Sequence, residues 1–268
     1  MSAPAWNDRP PAEPVPSTAP GVVLGARRRA RVGRLGLVRI PALLLLVLAA
    51  AVLGAIWVAT PSGDDLQARV SRLAGGRPLR AQDVPPVLAR AVVAVEDERF
   101  FIHHGLDTLG MGRAFWDDAT RRCACEGGST ITQQLAKIVY FSDQDRFTRK
   151  VPGMAVALKL ELRHGKAQIM ADYWSVVGTG YGLIGARAAA CVYFGHDLGH
   201  LSAAEAAQLA GSVNAPSRYD PRAHPDLTRR RRDYVLDRMV EAGYLGPAQS
   251  AAAKAEPVLA GGVAHPAC

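Results

Sequence analysis

The sequence predicts a mainly α-helical domain of about 190 residues behind one membrane-spanning helix. Three observations carry that prediction. The run from Pro41 to Thr60, PALLLLVLAAAVLGAIWVAT, contains no charge. From Asp64 to about Glu256, helix-start and helix-stop signals recur while strand patterns are almost absent. No repeat with a period of tens of residues appears.

The N-terminal tail, residues 1–40, opens with 26 residues rich in Pro, Ala and Ser and poor in large apolar side chains. Such a segment cannot bury enough surface to offset the entropy of ordering, so it reads as disordered. Seven arginines lie in residues 1–40 against Asp8 and Glu13, a net of +5 out of the chain's +8. A nucleic-acid binder would concentrate that excess on its folded domain, so this distribution argues against one. The uncharged run at 41–60 is about the length needed to span a bilayer as a helix. Arginines flank its N-terminal side and Asp64 and Asp65 follow it, which puts the N-terminus in the cytoplasm and residues after about 62 outside. A cleaved signal peptide would lie nearer the N-terminus with a shorter apolar core. A core helix would show a polar face, and this one has none. A single-pass signal anchor is the reading.

Hydrophobic residues make up 49% of the chain, enough for a buried core in the segment 64–256. Val84–Val95 follows a Pro85-Pro86 start with apolar residues at helical spacing. Ser202-Ala-Ala-Glu205 is a capping box ahead of an Ala-rich run. Arg229–Ala242 ends at Gly243, a helix-stop signal. Residues 257–268 form a short tail. The four cysteines, Cys123, Cys125, Cys191 and Cys268, make no metal pattern. Free, partly buried thiols are the expectation, and a disulfide between one of the close pair and Cys191 is the alternative that an exported domain allows.

Two stretches carry chemistry. The first, Ala91 to Asp107 (AVVAVEDERFFIHHGLD), packs an acid pair, two phenylalanines and two histidines into about four helical turns. A carboxylate held against apolar surface has its charged form disfavoured, which moves its pKa towards the range useful for proton transfer. Taken alone, Glu96 and Asp97 read as a solvated acidic face. The second stretch, Gly127 to Lys137 (GGSTITQQLAK), is a glycine turn feeding hydroxyls and amides with a closing lysine. Such groups at a helix start suit anionic oxygens.

EDERFFIHHGLD followed by GGSTITQQLAK resembles the first two motifs of the family 51 peptidoglycan glycosyltransferases. Arg149-Lys150 with ALKLE at Ala157–Glu161, Lys166 to Gly195, and LSAAEAAQLAGSVNAPSRYDP at Leu201–Pro221 continue the likeness in order, and Arg229–Leu245 resembles the closing segment. The resemblance implies a lysozyme-like α-helical fold that polymerises lipid II at the outer face of the bacterial cytoplasmic membrane. It implies Glu96 as the base that deprotonates an acceptor hydroxyl, with Asp97 orienting the site. Lys137, Arg149 and Lys150, with Arg231 or Arg232, would meet the diphosphate leaving group. Ser129, Thr130, Gln133 and Gln134 would line the groove, and His103 and His104 would shape it by hydrogen bonding. About half of the Arg229–Arg232 cluster reads as solvated surface charge. No cofactor is implied; a divalent cation accompanying the diphosphate stays open. The growing glycan chain and cell-wall transpeptidases are the implied partners.

The chain departs from the family pattern downstream of Glu96. The pattern R-K-x-x-E becomes Arg149-Lys150-Val151-Pro152-Gly153, so a second glutamate is lost. Pro152 implies a helix that starts or kinks there. Glu161, eight residues on or roughly 12 Å along a helix, does not restore the position. I-L-E-x-Y-L-N becomes Ile169-Met170-Ala171-Asp172-Tyr173-Trp174-Ser175, and two expected tyrosines are Gly178 and Ile184. Two readings follow: a divergent polymerase, or a catalytically weakened relative that binds lipid II or cell-wall proteins as a scaffold. A hydrolase would need a glycan-cleaving site, and the diphosphate motifs speak against it.

Overall fold

A computed structural model describes residues 33–113, 128–142 and 148–261. The readings placed on the tail before residue 33, on Gly127, on Cys123, Cys125 and Cys268, and on the tail beyond residue 261 lie outside the described residues. The chain divides into two units, residues 1–49 and 50–268.

Helix α1, Gly33–Ala59, runs through the uncharged segment. Its stretch Ile40–Ala59 has a mean hydropathy of 2.7 and no residue buried against protein, which makes it long and apolar enough to cross a membrane. The last carbonyls of any helix lack intrahelical donors. Here the Lys159 ammonium supplies them, donating to the carbonyls of Trp57 at 2.5 Å and Thr60 at 2.7 Å, and to the Thr60 hydroxyl at 2.9 Å.

Among the described residues the second unit is helical, as the sequence predicts, with one isolated antiparallel bridge. That bridge pairs Gly178 with Ile184, the two positions where the family pattern has tyrosines. The helices are α2 (Leu66–Leu73), α3 (Pro86–Glu96), α4 (Ile131–Tyr140), α5 (Lys150–Arg163), α6 (Lys166–Val176), α7 (Ala186–Phe194), α8 (Ala203–Ser212), α9 (Pro225–Glu241) and α10 (Pro247–Ala255). Two of them are buried nearly all round. On α6 every residue from Ile169 to Val176 is buried. On α8 Ala204 and every residue from Ala206 to Ser212 are buried, with α3 and α9 packed against it. Alanine-rich sequence allows that close approach, because small side chains keep helix axes near each other.

Local signals place most of the helix starts. Pro86 opens α3 at the first helical position, where a missing N–H costs nothing. The Ser202–Glu205 capping box opens α8 as expected, and a second box, Thr130 with Gln133, opens α4. Helix α5 starts at Lys150, which leaves Pro152 in its first turn. Of the two outcomes implied by that proline, the start is the one found.

Two expectations are corrected. The Ala91–Asp107 stretch is not four continuous helical turns: α3 ends at Glu96, and Asp97 leaves helical geometry at φ −159°. Cys191 is disulfide-bonded rather than a free thiol. An oxidised cysteine suits a domain outside the reducing cytoplasm.

Leu209 lies on α8 at the centre of the packing and is 1% exposed. Leu209→Ala is expected to lower unfolding stability by about 2–5 kcal/mol, the usual cost of a truncation cavity. Denaturant titration of the detergent-solubilised protein measures it, and a loss below about 1 kcal/mol would contradict a close-packed α8.

Candidate active site

The two acids sit on neighbouring residues and meet opposite helix ends. Glu96 is the last residue of α3, where the helix dipole presents its negative end. Its side chain is only 6% exposed. Three elements reach it with donors. Gln134 Nε2 on α4 donates to Oε2 at 2.8 Å; Asn214 Nδ2, just beyond α8, and Arg231 Nη2 on α9 approach Oε1 at 3.4 Å and 3.5 Å. Burial pushes the Glu96 carboxyl above the ordinary glutamate range, while Gln134, Arg231, Asn214 and Lys137 pull the other way. Burial wins. The solvated-face reading of Glu96 is therefore corrected.

Asp97 is buried as well, but structurally engaged. It accepts the backbone N–H of Ile131 at 2.9 Å, at the positive N-terminal end of α4. It also accepts from His103 Nε2 at 2.8 Å and 3.0 Å. His103 Nδ1 accepts the Gly105 N–H at 3.1 Å, so Nε2 carries the proton that faces Asp97. Gly105 is at φ +90°, and a Cβ there would lie 2.9 Å from the Ala157 carbonyl oxygen, so this turn needs glycine. The acid, the histidine and the glycine turn lock the loop after α3 onto the start of α4. His103 thus hydrogen-bonds on both sides of its ring within this loop, while His104 is exposed.

A cavity of about 440 Å³ opens over Glu96. Its lining brings together Glu96, Asp97, Ser129, Thr130 and Arg231, with Asn214, Tyr234 and Arg238 added by the fold. Arg231 is held in place there. Its Nε points at the Gly211 carbonyl at 3.4 Å, and its guanidinium lies 5.6 Å from the Tyr219 ring centre and 5.2 Å from that of Tyr234. A Cβ at position 211 would come within 3.0 Å of Arg231 Cγ, so Gly211 leaves room for this side chain.

The other carboxylates on the cavity wall are engaged. Asp107 pairs with Arg99, and Glu98 and Glu241 pair with Arg238. Among the described residues no group of three His, Cys, Asp or Glu side chains is arranged to hold a metal ion.

Several expected groove residues have other partners. Thr130 caps α4 and donates its hydroxyl to the Gly105 carbonyl at 2.7 Å; Gln133 closes that capping box with its Oε1 on the Thr130 N–H at 2.9 Å. Lys137, Arg149 and Lys150 do not line the cavity. Lys137 acts on Glu96 through its charge, Arg149 Nη1 donates to the Phe141 carbonyl at 3.4 Å, and Lys150 is exposed. In the arginine cluster, Arg229 and Arg230 face solvent while Arg231 and Arg232 turn inward. Arg232 donates to the carbonyls of Glu256 at 2.6 Å and Lys254 at 3.0 Å, so it caps α10 and Arg231 is the one that meets the site.

Neither Glu161 nor Asp172, the two described acids weighed against the glutamate expected at position 153, is free to act in its place. Glu161 is tied by Thr132 Oγ1 at 2.6 Å and Lys166 Nζ at 2.7 Å. Asp172 is fully buried, with one oxygen on Gln67 Nε2 at 2.7 Å and the other on Gln168 Nε2 at 2.9 Å. Asn214 and Tyr173 carry no role in the sequence reading, although both fall inside motif strings; the polar neighbour each meets is visible only in the fold.

The transglycosylase family model matches residues 66–240. Penicillin-binding protein 1F of Bacillus subtilis is 37% identical over 66% of this chain and 25% of its own length. Penicillin-binding protein 1A of Vibrio cholerae is 37% identical over 68% of this chain and 22% of its own. The chain thus spans about a quarter of the length of the curated relatives it matches. A crystal structure of penicillin-binding protein 1A from Haemophilus influenzae aligns with 68% of this chain and 18% of that one, at 24% identity and a TM-score of 0.39.

A carboxyl whose pKa rises on folding stabilises the fold below its unfolded value and loses that contribution as pH climbs through the folded value. Glu96→Gln removes the titration. The melting temperature of the variant minus that of the parent is therefore expected to increase from acid to alkaline pH, each unit of upward displacement of Glu96 being worth about 1.4 kcal/mol. A difference that stays flat between pH 4 and pH 9 would show that Glu96 is not shifted upward.

Proposed function

The chain belongs to the transglycosylase family, and from that premise we propose that it is a peptidoglycan glycosyltransferase that polymerises lipid II. One observation carries the reading. A nearly buried carboxylate, Glu96, lies on a 440 Å³ cavity among donors from two helices and the turn after α8. Burial raises its proton affinity towards the range in which a base works at neutral pH.

In the reaction we propose, Glu96 takes the proton of the acceptor sugar's 4-hydroxyl as that oxygen attacks the anomeric carbon of the growing chain. The new C–O bond forms as the bond to undecaprenyl diphosphate breaks, with inversion at carbon. Negative charge gathers on the departing diphosphate, and fixed cations stabilise it. Arg231 on the cavity wall, and Lys137, Arg149 and Lys150 outside it, are the groups proposed for that task. Ser129 and Asn214 would hold substrate oxygens, Asp97 and His103 would fix the loop, and Thr130, Gln133 and Gln134 would position α4. Helix α1 would anchor the protein in the cytoplasmic membrane with the catalytic unit outside, where transpeptidases would crosslink the product.

With purified protein and labelled lipid II, Glu96→Gln is expected to lower the polymerisation rate by about 10²–10⁴, the range for loss of a general base. Equal product from parent and variant would remove Glu96 as the base.

Gly153 favours a second reading, a lipid II-binding scaffold, because the family's second glutamate is absent there. A Cβ added at Gly153 meets nothing within 4 Å, so a side chain has room at its first carbon. Gly153→Glu is expected to fold and to polymerise at least severalfold faster than the parent. No gain over an active parent would make the second carboxylate dispensable. Binding of lipid II with no product from either protein would favour the scaffold.

A further inference from the structure

We infer that Tyr173 is a positioning residue for Glu96: its buried hydroxyl fixes which end of the Gln134 amide faces the carboxylate. The inference rests on the proposed role of Glu96 as base. Nothing in the motif likeness assigns Tyr173 a task, and the cavity wall does not include it.

A glutamine amide has an acceptor end and a donor end that are nearly the same shape. Left unconstrained beside Glu96, Gln134 could present either. Presenting N–H favours the ionised carboxylate; presenting C=O repels it and suits only the protonated acid. The Tyr173 hydroxyl donates to Gln134 Oε1 at 3.1 Å and Gln134 Nε2 donates to Glu96 Oε2 at 2.8 Å, so the amide stands with its donor end towards the carboxylate. Tyr173 is fully buried on α6, and its ring meets Trp174 edge-on at 5.6 Å between centres. Burial, with the Glu96 charge added, holds its phenol pKa well above the ordinary value, so the hydroxyl keeps its proton. The chain of contacts runs from α6 through α4 to the end of α3.

Other described groups also face Glu96. Arg231 and Asn214 address the opposite oxygen, Oε1. Lys137 acts from α4 through charge. Asp97 is held by His103 and the Ile131 N–H, and Glu98 pairs with Arg238. Removing the Tyr173 hydroxyl leaves those groups in place and releases one amide.

The test uses the full-length protein in detergent micelles, with the Glu96 carboxyl followed by isotope-edited infrared titration. Tyr173→Phe is expected to move that titration upward by about half to one pH unit, the effect of losing one oriented donor. The acid limb of the kcat/KM profile is expected to move with it, while rates well above the limb change little. In a Gln134→Ala background the same substitution should add no shift. An unmoved titration in Tyr173→Phe, or a full shift that persists without Gln134, would overturn the inference. A ring-fluorinated tyrosine at position 173, a stronger donor of parent-like size, should move the titration downward; no shift or an upward one would overturn it even where Tyr173→Phe fails to fold. A titration that shifts as expected in a protein making no glycan would uphold Tyr173's role and reject the polymerase reading instead.

Discussion

The structure depends on keeping one carboxylate almost dry beside the negative end of a helix. Glu96 closes α3, so dipole and burial both oppose its charge. What makes the ionised form accessible is a set of donors drawn from three places in the chain: Gln134 on α4, Asn214 beyond α8 and Arg231 on α9. Each must arrive within hydrogen-bonding reach, so the packing of α3, α4, α8 and α9 is constrained by the needs of one side chain. Asp97 makes the arrangement possible. By reaching across to the first N–H of α4 it ends α3 at Glu96 and draws α4 alongside, bringing Gln134 into range. Two adjacent acids thus divide the work, one structural and one left to face the cavity.

Much of the fold is legible in the sequence because its signals are local. Pro86, the Ser202–Glu205 box and the apolar run of α1 each fix an element without reference to the rest of the chain. The end of α3 is not legible. Nothing in AVEDERFF is a helix breaker, and the stop comes from a contact thirty-four residues away between Asp97 and Ile131. The arginine cluster fails to resolve for a related reason. Four consecutive arginines sample every face of a helix, since successive residues turn by about 100°. Only the positions of Gly211 and the α10 carbonyls decide that Arg231 serves the site and Arg232 a cap. The polar string after Gly128 divides its tasks: Thr130 lines the cavity and forms a capping box with Gln133, and of the two amides Gln134 is the one that reaches Glu96.

The family likeness leads to a second glutamate where this chain has Gly153. Two acids that follow it in the chain are already engaged: Glu161 is held by Thr132 and Lys166, and both oxygens of Asp172 are taken by amides. On the cavity wall Asp107, Glu98 and Glu241 are each held by an arginine. For Asp107, burial is outweighed by the Gly110 N–H and the Arg99 guanidinium, which hold its carboxyl below the usual carboxylate range. Glu96 differs in kind. Arg231 stands 3.5 Å from it, the neutral Gln134 amide donates to it at 2.8 Å, and burial already favours its protonated form. Among the described acids on the cavity wall it combines a nearly buried side chain with a neutral amide donor. That asymmetry arises from the packing and does not require a second carboxylate to create it.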